Sequence, residues 1–206
     1  MGKSPGPDFS FEYAAMARGQ RIVCGIDEAG RGPWAGPVVA AAVILDPANI
    51  PTGLNDSKKL SAARREGLFA ELQVAAAIGT GIAGIDRIDR DNILAATLWA
   101  MAEAVRGLTI LPALALVDGN RAPRLPCPCE TIVAGDARSL SVAAASIVAK
   151  VTRDRIMREL DSEYPGYGFA RHKGYGTAVH AEALARLGPS PQHRRSFAPV
   201  RAMLAR

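Results

Sequence analysis

Two short apolar runs and the turn between them constrain the fold of this chain more than any other feature. "RIVCGI" ends at Ile26, "VVAAAVIL" begins at Val38, and the intervening "DEAGRGPWAGP" contains three glycines and two prolines. Glycine and proline in this number prevent one continuous helix, and the β-branched content of both runs is typical of buried strands. The sequence therefore predicts two buried strands, with Asp27 and Glu28 closing the first.

The adjacent carboxylates of Asp27 and Glu28 require compensation. Neighbouring like charges repel, so a fold that keeps them together usually supplies a cation beside them. Arg31, three residues after Glu28, is one candidate, and a bound divalent metal ion is the other. The residues alone leave both explanations open.

The rest of the chain alternates between helical and extended patterns. The further predicted elements are, in chain order, a helix capped by Ser61 and running to about Gln73, a strand at "VAAAIGTGIAG", a helix from about Asp89 to Arg106, strands at "ALALV" and "ETIVAG", a long helix at "SVAAASIVAKVTRDRIMREL", and a shorter helix from Thr177 to Leu187. Strands followed by alternating helices and strands indicate an α/β fold.

Acidic residues follow three of the predicted strands. Asp27 and Glu28 end the first, Asp118 follows "ALALV", and Asp136 follows "ETIVAG". Ligands of α/β sheets bind beyond the carboxyl ends of the strands, so these four acids are candidates for one site. Oxygen ligands without histidine or cysteine suit Mg²⁺ or Mn²⁺. The alternative is that each acid caps a helix or is solvated.

Length and composition predict one folded domain. The chain has 206 residues, of which 49% are hydrophobic, enough for one core and short for two. The first twenty residues mix glycine, proline and charge without periodicity, although Phe9, Phe11 and Tyr13 could dock locally. We therefore predict a flexible arm over residues 1–20 and a domain over residues 21–206.

Charge and targeting signals narrow the function classes. Lys and Arg outnumber Asp and Glu by 25 to 20, which favours a polyanionic partner such as nucleic acid. No apolar run is long enough for a membrane helix, and the start lacks the apolar core of a secretion signal, so we expect a soluble, cytoplasmic protein. The three cysteines lack zinc-site spacing and are predicted to be reduced, structural thiols.

Six ordered sequence blocks carry a resemblance to a known family. They are "GIDEAGRGPWAGPVVAAAVIL", "LNDSKKLS", "LVDGNRAP", "GDARSLSVAAASIVAKVTRD", "YGFARHKGYGT" and "HRRSFAPV". Together, from about Ile22 to Val200, they resemble the bacterial ribonuclease HII family. The resemblance implies a ribonuclease-H-like mixed five-stranded sheet flanked by helices, with a helical C-terminal region. It also implies a catalytic domain that cleaves the RNA of RNA–DNA hybrids and incises duplex DNA at single ribonucleotides.

The resemblance also implies roles for particular residues. The family's metal-binding, catalytic acids fall on Asp27, Glu28, Asp118 and Asp136, with two Mg²⁺ or Mn²⁺ ions as cofactors and products bearing 3′-hydroxyl and 5′-phosphate ends. The implied substrate-binding residues are Gly30, Arg31, Gly32, Lys58, Lys59 and Tyr175. Trp34 departs from the leucine-like residue expected there, and we expect it to alter only loop packing. We expect a monomer.

Several of these residues have structural alternatives. The Lys58–Lys59 pair also fits a solvated face, and Tyr175 also fits a packed aromatic in a glycine-rich loop. Of Lys150, Arg153 and Arg155 on the long helix, we expect only some to touch DNA. His172 and His193 lack a further ligand at zinc spacing, so a structural or phosphate-contacting role is favoured, and His180 is assigned no function.

Two other function classes fit parts of the sequence. A non-catalytic nucleic-acid-binding protein would explain the basic balance but not the acids at the strand ends. A nucleotide-binding enzyme would need a GxxxxGK[ST] or GxGxxG loop, and "GRGPWAG" fits neither. Within the nuclease class, a related enzyme of similar fold that acts only on longer RNA tracts is the nearest alternative.

Overall fold

A computed structural model describes residues 6–205 of the chain as a mixed sheet with helices on both faces. The strands are Val23–Ala29 (β1), Val38–Leu45 (β2), Ala76–Ala83 (β3), Leu114–Asp118 (β4) and Cys129–Ile132 (β5). Their order is β3-β2-β1-β4-β5, in which β1, β4 and β5 are parallel and β2 is antiparallel to both neighbours. This confirms the predicted five-stranded mixed sheet.

Helices cover the sheet and continue past it toward the C-terminus. They are Ser10–Ala17 (α1), Ala62–Ala75 (α2), Ile85–Asp91 (α3), Ile93–Arg106 (α4), Leu140–Glu163 (α5), Phe169–His172 (α6), Ala178–Leu187 (α7) and Ala198–Leu204 (α8). Helix α5 packs on one face of the sheet, with α2 beside it, and α4 packs on the other. No helix within residues 6–205 is long and apolar enough to cross a membrane.

Small residues bring these helices close to the sheet. Strand β2 turns Ala41 and Val43 toward α5 and Ala40 and Ala42 toward α4. A Cβ added at Gly81 of β3 would collide with the backbone of α4 at Ala100. Such backbone-to-backbone packing leaves no room for a side chain, which explains the glycines in a strand that they would otherwise weaken.

The parallel pairing of β1 with β4 positions the acids. Val117 lies opposite Ile26, so the residues that follow each of them emerge at the same edge of the sheet. Asp27 and Glu28 immediately precede Ala29, the last residue of β1, and Asp118 is the last residue of β4. The strand placement predicted for these three acids is therefore confirmed.

The structure differs from the sequence prediction at Asn92 and Asp136. The helix predicted from Asp89 to Arg106 is two helices, because Asn92 has a left-handed backbone and its side chain accepts from the amides of Leu94 and Ala95, which starts α4. Strand β5 ends at Ile132, and Asp136 follows in a short 3₁₀ helix, Gly135–Ala137, rather than directly after the strand.

The segment predicted as a loose arm contains a docked helix. Within α1 the carboxylate of Glu12 is buried and accepts from Ser139 Oγ at 2.6 Å and from the Ser141 amide at 2.9 Å. These groups form the N-terminus of α5, where a carboxylate is stabilising. Phe9 also enters the core, so residues 8–17 pack on the domain, while residues 1–5 of the predicted arm lie outside the described residues.

Candidate active site

Three carboxylates gather where β1 and β4 end. Oxygen atoms of Asp27, Glu28 and Asp118 all lie within 4.8 Å of one another. Asp27 is buried, the other two are half-buried, and the Glu28 amide donates to Asp27 Oδ1 at 2.7 Å. An oxygen-only group of this kind fits a hard divalent cation.

The environment of Asp27 and Glu28 disfavours negative charge. Burial, followed by the charges of Glu28 and Asp118, raises the pKa of Asp27 well above its ordinary value. Burial also raises the pKa of Glu28, against the opposing effect of Arg31. Carboxylates packed together in this way are stabilised in their ionised form by a bound cation.

Arg31 supplies part of the compensating charge. Its Nη1 lies 3.2 Å from Glu28 Oε1, and its side chain is half exposed. Two cations, Arg31 and a bound divalent metal ion, were considered for the Asp27–Glu28 pair. The structure places Arg31 beside Glu28. Asp27 has no basic side chain within 4.0 Å among residues 6–205, whereas carboxylate oxygens of Glu28 and Asp118 lie within 4.8 Å of one of its own.

Asp136 lies beside the three acids rather than among them. Its Oδ2 is 3.3 Å from Lys58 Nζ, and it is outside the group whose atoms lie within 4.8 Å of one another. The 3₁₀ helix that carries it is attached to the group, because the Gly135 amide donates to Asp118 Oδ1 at 2.7 Å. Burial raises the pKa of Asp136, while Lys58 opposes the rise.

The acids line a cavity of about 270 Å³ that also holds most of the predicted substrate-binding residues. Its predicted members are Asp27, Glu28, Asp118, Gly30, Arg31, Gly32, Lys58 and Tyr175. Asp136 and Lys59 are not among its lining residues, and the side chain of Lys59 is exposed. The cavity brings together acids, a glycine turn and cations, which is a suitable environment for a phosphate ester near a metal site.

Three residues of the cavity were not predicted as part of the site: Ser57, Ser146 and Lys150. Ser57 and Ser146 line it and are joined by a 2.7 Å hydrogen bond between their hydroxyls. Lys150 also lines it and is paired with Asp154 at 2.6 Å, whereas Arg155 turns away to Glu66. Serines on a helix give no periodic signal, so only the packing of α5 on the loop before α2 identifies these two.

Arg194 sets the shape of the glycine turn. Its guanidinium is completely buried and donates to four carbonyls of the turn, those of Gly30, Arg31, Gly36 and Pro37. In a trans peptide the N–H points opposite to the C=O. Because the carbonyls of Gly30 and Arg31 are held toward Arg194 in the interior, the amides of Arg31 and Gly32 point away from it, and both of these residues line the cavity. Within residues 6–205 neither of these amides donates to a backbone carbonyl.

Arg153 joins the glycine turn to the loop that carries Tyr175. It is 1% exposed and donates to the carbonyls of Pro37 at 2.9 Å and Ala35 at 3.1 Å, and to that of Lys173 at 3.0 Å. Burial lowers its pKa to about 10, and burial lowers that of Arg194 to about 9, so both stay charged at neutral pH. Of the three basic residues of α5 among which only some were expected to touch DNA, Arg153 is a buried support.

Arg153 also explains why residue 30 is a glycine. Gly30 has φ of +97°, and a Cβ there would collide with the Arg153 side chain. Glycine is thus required by the protein's own packing. Gly32 is less constrained, since a Cβ there would meet Tyr175 Cε1 at an ordinary 3.7 Å.

Trp34 and Tyr175 lie where the two loops meet. The Trp34 amide donates to the Gly174 carbonyl at 2.8 Å, and the indole ring packs on His180 and fills the space beside Gly176. Tyr175 is 48% exposed and lines the cavity. The packed-aromatic alternative for Tyr175 therefore does not hold, and Trp34 affects loop packing as expected.

The sequence and fold were compared with known proteins. A family model described as Ribonuclease HII matches residues 24–200. The chain is 60% identical over 202 residues to the ribonuclease HII of Caulobacter vibrioides, an alignment that covers 98% of this chain and 94% of that relative. The fold is similar to ribonuclease H2 from Pyrococcus horikoshii OT3, with TM-score 0.74 and 30% identity over 88% of this chain and 96% of that one. It is also similar to a chain in the PCNA:RNase HII complex from Archaeoglobus fulgidus, with TM-score 0.72 and 27% identity over 85% and 95% of the two chains.

Proposed function

Because the chain belongs to the ribonuclease HII family, we propose that it incises duplex DNA at single embedded ribonucleotides in addition to cleaving the RNA strand of RNA–DNA hybrids. The protein is a ribonuclease H and therefore a hydrolase of phosphodiester bonds. Incision at a lone ribonucleotide would begin its removal from replicated DNA. One observation carries this proposal. The same cavity is lined by the three acids and by Arg31 and Gly32, whose amides have no backbone acceptor within residues 6–205.

The acid group fits Mg²⁺ or Mn²⁺. Its donors are all carboxylate oxygens, and the buried Asp27 lacks a cationic partner among residues 6–205. We assign Asp27, Glu28 and Asp118 as ligands and include Asp136, which would exchange Lys58 for a metal ion. A pair of bound divalent ions supplies Lewis acidity, which lowers the pKa of water and neutralises charge on the phosphodiester. Hydrolysis in this manner leaves 3′-hydroxyl and 5′-phosphate ends.

Recognition of the ribonucleotide is assigned to the glycine turn and Tyr175. A 2′-hydroxyl is the only chemical mark of a ribonucleotide in DNA, and it both donates and accepts hydrogen bonds. The amides of Arg31 and Gly32 are held in fixed directions by Arg194, so they can bond such a hydroxyl without reorganising. The ring of Tyr175, in reach of Gly32, offers a flat apolar face to the adjoining sugar.

The nearest alternative is a nuclease restricted to longer RNA tracts. The two are separated by cleavage of three matched duplexes: one with a single ribonucleotide, one RNA–DNA hybrid and one of DNA alone. We expect cleavage of the first two with Mg²⁺ or Mn²⁺, none with a chelator, and a 5′-phosphate on the product. Cleavage of the hybrid alone would refute the assignment of single-ribonucleotide incision.

Two variants connect this activity to the cavity. Asp118→Asn should nearly abolish cleavage of both substrates, because it removes the charge of a metal ligand. The duplex should still bind, because the basic side chains of the cavity remain. Glu159→Gln, at an exposed position of α5, is the control with the same chemical change and should retain full activity. Tyr175→Ala should reduce cleavage at a single ribonucleotide by one to two orders of magnitude, about 1.4–2.8 kcal/mol, with little change in stability.

A further inference from the structure

All three histidines of the chain form one buried cluster behind Tyr175. The rings of His172 and His180 are stacked with centroids 4.3 Å apart, and His180 Nε2 lies 3.0 Å from His193 Nε2. Phe169 packs edge-on against His180, and Trp34 covers another side of that ring. Three imidazoles in one interior location need an explanation, because a core can be filled more cheaply with apolar side chains.

Backbone groups determine which nitrogen of each ring carries the proton. The Ser190 amide donates to His193 Nδ1 at 3.0 Å, so the proton of His193 is on Nε2. His193 Nε2 therefore donates to His180 Nε2, which leaves the proton of His180 on Nδ1. His180 Nδ1 then donates to the carbonyl of Tyr175 at 2.9 Å. The result is one directed chain from Ser190 through both histidines to Tyr175.

The chain ends on the main chain of the residue that faces the cavity. The Tyr175 carbonyl also accepts from the Thr177 amide at 2.8 Å, and the Tyr175 amide donates to the His172 carbonyl at 2.9 Å. Both peptide planes around Tyr175 are thereby fixed from the buried side, which leaves the ring as the part that reaches the cavity. His172 supports the same loop, since its Nδ1 accepts from the Gly174 amide at 3.1 Å.

We propose that His180 is a positioning residue for Tyr175, and that His193 acts by holding His180 in the Nδ1–H tautomer that this bond requires. The proposal rests on the contact between Tyr175 and the substrate assigned above. It adds a structural origin for that contact: the orientation of an exposed aromatic ring is set by a hydrogen-bonded pair of buried imidazoles. A fixed side chain loses less entropy when it meets the sugar, so the benefit is measured in kcat/KM.

The neutral state of the cluster suits this role. Burial, together with neighbouring imidazoles, lowers the pKa of His193 to about 4 and lowers that of His180. A proton added to His180 Nε2 would face the Nε2–H of His193 across the 3.0 Å gap, and a proton added to His193 Nδ1 would face the Ser190 amide, also at 3.0 Å. The phenol ring of Tyr167 also packs on His193, and its hydroxyl donates to the Gly188 carbonyl rather than to the histidines.

Two substitutions at His180 separate hydrogen bonding from packing. His180→Asn keeps a donor near the position of Nδ1, whereas His180→Phe keeps an aromatic ring against Trp34 and His172 and loses the donor. We expect His180→Phe to lower kcat/KM on the single-ribonucleotide duplex about tenfold and His180→Asn to stay within about threefold of the parent. Combined with Tyr175→Ala, His180→Phe should cause no further loss, because it acts through Tyr175.

A second measurement does not depend on activity. In the free protein, ¹⁵N chemical shifts of the imidazoles report the tautomers, and we expect Nδ1–H for His180 and Nε2–H for His172 and His193. An Nε2–H tautomer of His180, or full activity of His180→Phe, or additive losses in the double variant, would overturn the proposal. If the parent protein failed to cleave at a single ribonucleotide but His180 showed the Nδ1–H tautomer, the proposed substrate would be wrong and the hydrogen-bonded chain would stand.

Discussion

Arg194→Lys tests whether the buried guanidinium holds the glycine turn. Arg194 makes five hydrogen bonds to four carbonyls, from three different nitrogens. Lysine has one nitrogen in place of three, so it cannot reach all the carbonyls that the planar guanidinium spans. A buried acceptor without a partner costs about 1–3 kcal/mol, which sets the expected loss in free energy of unfolding. Arg194→Met removes this donor from the carbonyls of Gly30, Arg31 and Gly36, while Pro37 keeps its bond from Arg153, and the loss should be on the order of 3 kcal/mol or more.

The effect on function follows from the same bonds. Release of the Gly30 or Arg31 carbonyl lets the peptide planes rotate, so the amides that face the cavity lose their fixed direction. We expect kcat/KM of Arg194→Lys at a single ribonucleotide to fall at least tenfold, about 1.4 kcal/mol. Duplex binding should change less, because the cation is retained and phosphate contacts dominate affinity.

Urea unfolding followed by tryptophan fluorescence measures the first effect, and single-turnover cleavage measures the second. Arg195→Lys is the matched control, since that side chain is exposed and adjacent in sequence. It should leave the midpoint and the rate unchanged. An Arg194→Lys protein with the urea midpoint, slope and cleavage rate of the parent would refute the reasoning. If the buried guanidinium sustains the turn, its hydrogen bonds cannot be lost without a loss of stability.

Two further predictions concern the acids and the lysines. Asp27→Asn should raise the free energy of unfolding of the metal-free protein at neutral pH, on the order of 1 kcal/mol. The folded state raises the pKa of Asp27, so the ionised carboxylate costs stability as the pH rises above its ordinary pKa of 3.8, and asparagine carries no such charge. Thermal melts should also show a smaller stabilisation by Mg²⁺ than in the parent, and equal Mg²⁺ shifts would contradict the ligand assignment. Lys58→Ala should lower the salt slope of duplex binding by about 0.9 if Lys58 contacts a phosphate, while Lys59→Ala, at a position outside the cavity, serves as the comparison and should change it less. Equal slopes for both variants and the parent would show that neither lysine contacts a phosphate and would favour the alternative in which the pair lies on a solvated face.

The sheet and the acid group could be predicted because they depend on local patterns. Short β-branched runs gave β1 and β2, and acids at the ends of parallel strands meet for topological reasons. Asp136 was placed less well, because the turn after β5 includes Ala134 in a left-handed conformation that no sequence pattern indicates. Its pairing with Lys58 joins residues 78 positions apart, a separation that local reasoning does not reach.

The supports of the site were not predictable in the same way. Arginine is almost always exposed, so a prior based on residue type places Arg153 and Arg194 at the surface. Their burial follows from the carbonyls that the glycine turn directs inward, which is a property of the folded backbone. His180 was assigned no function for a similar reason, since His193 becomes its neighbour only when α7 packs against the following loop, and the Tyr175 carbonyl meets it only through the conformation of the loop before α7.

The glycine turn presents its chemistry through peptide groups, and this changes where mutations reveal it. A substitution at Arg31 or Gly32 alters a side chain but leaves the amide in place, so scanning the turn itself would underestimate its importance. The direction of those amides is encoded by Arg194, 164 positions from Gly30, and by Arg153, 116 positions from Pro37. In a deep mutational scan of cleavage, the intolerant positions that report on this recognition surface should therefore be concentrated in the last third of the chain.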